Sequence, residues 1–166
     1  FFAKKITIDR NNWKTVLINN EYYLDKEYKP KCVKLANGVK VSKRIYPHLQ
    51  SMFDDARKQG ISITVGSGYR SWEEQNELWE EEMNRLDEKG VSLHDAVKRG
   101  ELVVQRPGMS EHQTGLAVDI NSMQSDASIL YKWLKDNSYK YGFILRFPKE
   151  KKKITGIIYE PWHFRY

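Results

Sequence analysis

A single cysteine, Cys32, in a chain of 166 residues excludes an internal disulfide framework, so a hydrophobic core, with or without a metal, has to hold the fold together. Cys32 lies in Lys29-Pro30-Lys31-Cys32 with no histidine or asparagine motif beside it. It therefore reads as a structural thiol rather than a nucleophile. There is no run of about 18 apolar residues, so no transmembrane helix is encoded. A basic-then-apolar leader is also missing at Phe1. A chain that starts without Met nevertheless reads as a processed or trimmed piece, which leaves open a membrane anchor upstream. No repeat, low-complexity tract or linker divides the sequence, and its length suits one domain over residues 1–166 that buries roughly 70% of its unfolded surface. Histidine is scarce, with four in the chain.

Charge is plentiful and unbalanced, with a net +6 at neutral pH. That excess fits nucleic acid, an acidic membrane surface or a polyanionic wall equally well. No nucleic-acid motif accompanies it, so nucleic acid is not expected as a partner. The densest basic run, Lys149-Glu150-Lys151-Lys152-Lys153, lies between the strand-like segments Phe143 to Phe147 and Ile154 to Tyr159. This arrangement predicts a solvated hairpin tip.

Helical and strand periods are both present. Ile45, Leu49, Met52, Phe53 and Ala56 follow a helical spacing that stops at Gly60, and Ile61 to Val65 reads as a strand entering a turn at Gly66 to Arg70. Ser71 with Glu74 forms a capping box for a second helix, whose apolar positions are Trp72, Leu78, Trp79, Met83 and Leu86. The tryptophans are expected in the core rather than as carbohydrate contacts. A short helix from Ser92 to Gly100, a loop from Glu101 to Glu111, a helix carrying Ile129, Leu130, Trp133 and Leu134, and strands at Leu116 to Ile120 and Trp162 to Tyr166 complete the reading. The fold class is α+β, with a mainly antiparallel sheet flanked by helices.

Two of the histidines have chemical company. Ser110-Glu111-His112-Gln113-Thr114-Gly115-Leu116-Ala117-Val118-Asp119 is answered by Glu160-Pro161-Trp162-His163. Two imidazoles and a carboxylate form a common three-ligand set for catalytic zinc, and a further carboxylate can act on the water in the open position. His48, behind Pro47, and His94, in a polar stretch, lack such neighbours and read as solvated side chains. Spacing poses a question of parity. Glu160 and His163 point opposite ways in a regular strand, so the register has to break near Pro161, at a bulge or strand start. For His112 and Asp119, seven apart, Gly115 supplies the intervening turn. Arg70 offers a planar fork for a carboxylate; the plain alternative is a structural ion pair. Likewise Ser110 can be a turn hydroxyl, and Gln75 an exposed helix residue.

The pattern Ser-x-His-x-x-Gly-x-Ala-x-Asp, followed by Glu-x-x-Trp-His, resembles the signature of the LAS-type zinc peptidases, which include D-alanyl-D-alanine carboxypeptidases. Ser67-Gly68-Tyr69-Arg70-Ser71 with Gln75 resembles the substrate-binding segment of their VanY-like branch, so the likeness runs over about residues 40–166. It implies one zinc ion on His112, Asp119 and His163, and Glu160 as general base. It also implies Arg70 as catalytic and substrate-binding, with further substrate contacts from Ser67, Tyr69, Gln75, Ser110 and Trp162. The expected activity is zinc-dependent removal of the terminal D-alanine from peptidoglycan stem peptides, by a monomer located outside the cytoplasm at the bacterial wall or membrane. L,D-carboxypeptidases share these ligands, an endopeptidase of wall cross-bridges needs no carboxylate clamp, and hedgehog-type domains use the same fold as binding modules. Residues before about 40 carry no recognisable signature.

Overall fold

Short stretches rich in β-branched and other apolar residues, spread between residues 64 and 165, assemble one four-stranded sheet. The computed structural model describes residues 2–166. After two short strands, β1 (Lys4–Ile6) and β2 (Tyr22–Leu24), which pair in parallel, β3 (Cys32–Lys34) and β4 (Lys40–Ser42) make an antiparallel hairpin. There follow α1 (Tyr46–Lys58), β5 (Thr64–Ser67), α2 (Trp72–Asp87) and α3 (Leu93–Gly100). A 3-10 turn at Glu111–Thr114 leads into β6 (Ala117–Asn121). Then come α4 (Ser128–Asn137), β7 (Ile144–Leu145), the short α5 (Lys152–Thr155) and β8 (His163–Arg165). The central sheet has the order β5-β6-β8-β7 and is antiparallel throughout, as expected.

Strand alternation sorts the sheet into two faces. Val118 pairs with Phe164 and Ile120 with Val65; these side chains are buried in the core with Leu49, Met52, Phe53 and Ala56 of α1 and Leu130, Trp133 and Leu134 of α4. Each such burial contributes about 1.5–3 kcal/mol for a large apolar side chain. The opposite face carries Asp119 beside His163, with Ser67 across the other edge of Asp119. Between Val65 and Ser67 the register slips by one residue at Gly66, a bulge in which an added Cβ would stand 2.2 Å from the Asn121 amide nitrogen. The core thus anchors one face of the sheet and leaves the other for chemistry.

Several elements depart from the sequence expectation. The basic run is not a hairpin tip. Only Ile144–Leu145 is a strand in the preceding segment, and its partner is β8. After Pro148 the chain winds through a 3-10 turn at Lys149–Lys151 into α5, which ends where Gly156 takes a left-handed φ of 74°. Lys and Glu favour helix, and Gly156 supplies the stop, so local preference overrides the alternating pattern of Ile154 to Tyr159. Trp72 and Trp79 are half-buried rather than in the core cluster, with Lys26 over Trp72 and Arg106 over Trp79. Gln75, by contrast, is buried on α2. No helix among the described residues is long and apolar enough to cross a membrane.

Candidate active site

His112 and Asp119 reach one point because a tight turn separates them. Ser110 Oγ accepts the His112 backbone N–H at 3.3 Å, the chain makes one 3-10 turn, and Gly115 reverses it with φ 71° before β6 begins. His163 arrives from the neighbouring strand, directly opposite Asp119. The break in register needed for Glu160 lies ahead of the strand rather than at a bulge within it. The His163 N–H donates to Glu160 O at 3.2 Å, closing a turn around Pro161, and β8 starts only at His163.

The three side chains converge. Asp119 Oδ1 is 3.5 Å from His112 Nε2 and 3.3 Å from His163 Nδ1, and one ligand atom from each residue lies within 4.8 Å of the others. Asp119 Oδ1 is buried and accepts no hydrogen bond among the described residues. Ligands about 2.1 Å from a tetrahedral ion stand about 3.4 Å from each other, so the observed spacing fits a shared zinc ion better than direct hydrogen bonds. His112 Nδ1 donates to Gly68 O at 2.7 Å, leaving Nε2 as the free lone pair aimed at the site. The two imidazoles stand nearly perpendicular, at 83°.

Glu160 Oε2 lies 3.6 Å from His163 Nδ1, beside the ligand set rather than within it. Its burial, opposed by His163 and reinforced by the Asp119 charge, pushes the carboxyl up to about 7. A half-buried carboxyl beside the ligand set is placed to take a proton from water there, as a general base does. Burial works against charge on His163, but the carboxylates of Asp119 and Glu111 outweigh it and push the imidazole up to about 9. Asp119, despite burial, is held well below the usual carboxylate range by both imidazoles.

Arg70 shares the cleft, of about 410 Å³, with Gln75, Ser110, Glu160 and Trp162. Its Nη1 donates to Gln75 Oε1 at 2.6 Å and its Nη2 to Ser67 Oγ at 3.0 Å, while Gln75 Nε2 donates to Gln105 O at 2.6 Å. Arg70 therefore makes no salt bridge with a protein carboxylate among the described residues, so the plain ion-pair reading fails and the guanidinium is positioned by neutral partners. Ser67 and Tyr69 line a second groove on the far side of Arg70, with Glu74 and Glu77 of α2, and not the metal cleft. Trp162 stands on the rim at 36% exposure.

One residue and two segments of the site escape the sequence reading. Glu111 is buried, and its Oε1 accepts from Arg146 Nε at 2.9 Å and Arg165 Nη1 at 3.0 Å. Burial alone would raise its pKa; His163, Arg165 and Arg146 hold it down to about 2. The one available signal was its place beside a ligand inside the Ser-Glu-His triplet. Residues Ile18 to Glu21, from the part without a signature, form one wall of the cleft, and Lys153 to Ile157 another.

Known proteins resemble this chain in sequence and in fold. The family model described as VanY, D-alanyl-D-alanine carboxypeptidase, matches residues 38–166. A D-alanyl-D-alanine carboxypeptidase of Enterococcus faecalis is 42% identical over 95% of this chain, which spans 60% of that relative's length. Among solved structures, a variant of the vancomycin-resistance D,D-pentapeptidase VanY in complex with Zn(II) superposes with a TM-score of 0.85, 42% identity and coverage of 93% of this chain and 88% of its own. The LdcB LD-carboxypeptidase has a TM-score of 0.80 at 36% identity, covering 99% of this chain and 80% of its own. A model match over most of the chain, together with identity at this level, establishes that the chain belongs to the VanY family of D-alanyl-D-alanine carboxypeptidases.

Proposed function

We propose that this domain is a zinc-dependent D,D-carboxypeptidase that removes the terminal D-alanine from peptidoglycan stem peptides. The observation that carries the reading is the meeting, in one cleft, of a His-Asp-His set, a half-buried carboxyl at Glu160 beside that set and a carboxylate-free arginine at Arg70. Zinc held by His112, Asp119 and His163 would acidify water from a pKa of about 15.7 to about 7 and polarise the scissile carbonyl. Glu160 takes the proton of the attacking water and returns it to the leaving amine. Arg70, held flat by Gln75 and Ser67, receives the terminal carboxylate through paired N–H groups. Ser110 and Trp162 bound the space that the peptide occupies.

The nearest rival is L,D-carboxypeptidase activity on tetrapeptide stems, favoured by likeness to LdcB over nearly the whole chain. Glu160 and Arg70 together weigh against a hedgehog-like binding module, which needs neither a base nor a carboxylate clamp. A wall stem peptide as substrate supports work outside the cytoplasm, in the wall or at the membrane, and the residues named above all come from one chain; we propose an extracytoplasmic monomer.

A comparison of wild type and Arg70→Lys, each given free-acid and C-terminally amidated pentapeptide stems, tests the clamp. Arg70→Lys and amidation each lower turnover, because an ammonium cannot reproduce two parallel hydrogen bonds, and the two losses do not add. Equal cleavage of acid and amide by the wild type would contradict the exopeptidase reading and favour an endopeptidase.

A further inference from the structure

The buried Glu111 is costly to the fold, since a carboxylate taken out of water must be paired and hydrogen-bonded. Two arginines meet that need at a single oxygen, Oε1. The other oxygen, Oε2, is buried without a hydrogen-bond partner among the described residues, and 3.5 Å away is His163 Nε2, also buried and also without one. This nitrogen is on the opposite side of the ring from Nδ1, which faces Asp119 and Glu160. A simple ion pair leaves that second oxygen unexplained. Ligation of the same ion is excluded as well, because the two lone-pair directions of an imidazole diverge.

We propose that Glu111 is a positioning residue for the metal centre: it accepts the Nε2–H of His163, fixing the ring so that Nδ1 is the metal-binding nitrogen. The inference rests on the zinc reading above. It makes the two imidazoles complementary. His112 is held from behind by the Gly68 carbonyl and offers Nε2, whereas His163 is held by a carboxylate and offers Nδ1. A carboxylate raises ligand basicity more than a carbonyl does, and outer partners of this kind are worth about 10- to 100-fold in metal affinity. Arg165 and Arg146 hold Glu111 in place through Oε1; Arg165 also donates to Val16 O at 3.0 Å.

The direct test uses the wild type, so no variant has to fold. Long-range 1H–15N spectra of the zinc-loaded, 15N-labelled protein report which nitrogen of each histidine carries the proton. The expected result is Nε2–H for His163 and Nδ1–H for His112; a proton on His163 Nδ1 overturns the proposal. A second measurement compares Glu111→Gln and Glu111→Asp with wild type by zinc competition against a chromophoric chelator. Asp keeps the charge facing the arginines but withdraws from the ring, so both variants are expected to bind zinc about 10- to 100-fold more weakly. Unchanged affinity in either folded variant also overturns it. A wild type that binds no zinc defeats the metal reading and the inference together, whereas zinc bound with the wrong tautomer defeats the inference alone.

Discussion

At the residue scale the site divides labour between groups that differ by environment rather than by type. Asp119 and Glu160 are both carboxylates close to His163, yet two imidazoles hold Asp119 ionised while burial pushes Glu160 up to about 7. One suits permanent ligation and the other proton exchange. Replacing Glu160 with Gln keeps the size and removes the basic oxygen. Glu160→Gln is expected to retain full zinc by metal analysis and lose about 10²- to 10⁴-fold in turnover. Near-normal turnover in the zinc-loaded variant would assign the base elsewhere. The meeting of His112, Asp119 and His163 with Glu160 was legible because each sits in a short motif with its partner residue types. Glu111's role was not, because its arginines lie 35 and 54 residues away in sequence and meet it only through the sheet.

At the element scale, what could be read from sequence was what local chemistry determines. The capping box is an example: Ser71 Oγ accepts the Glu74 N–H at 3.1 Å, and Glu74 Oε2 accepts the Ser71 N–H at 2.7 Å, starting α2 two residues beyond Arg70. Removing that cap costs about 0.5–2 kcal/mol. For a chain of this size about 1 kcal/mol lowers the melting temperature by about 2–4 °C. Ser71→Ala is expected to show a drop of that order with zinc affinity intact. Gly115→Ala acts differently, because a left-handed φ strains any Cβ and the added carbon would lie 3.1 Å from Pro30 Cγ. It is expected to lower both melting temperature and zinc affinity, since the turn sets His112 against Asp119; affinity equal to wild type would show the turn to be dispensable. Illegible elements were those too short for a period to register, such as the three-residue strands β1 and β2, or those, like α5, where a terminating glycine and helix-favouring lysines outweigh alternation.

At the scale of the whole molecule, one side chain joins the segment without a signature to the metal centre. Arg165 donates to the backbone carbonyls of Lys14 and Val16 and to Glu111, behind His163. Through it, the wall formed by Ile18 to Glu21 is tied to the ligand set. Breaking a buried pair by removing one partner costs about 3–5 kcal/mol; with Arg146 still in place, Arg165→Gln is expected near the lower end. Hydrogen exchange is expected to speed up in residues 14–24 of that variant, and unchanged exchange there would separate the segment from the site. The central claim, a zinc carboxypeptidase acting on stem peptides, meets its most direct test in the masses of products formed from a free-acid pentapeptide stem by the zinc-loaded wild type. The account predicts loss of one terminal alanine, abolished by a chelator and restored by zinc; an intact pentapeptide with fully loaded protein, or cleavage indifferent to metal removal, would contradict it.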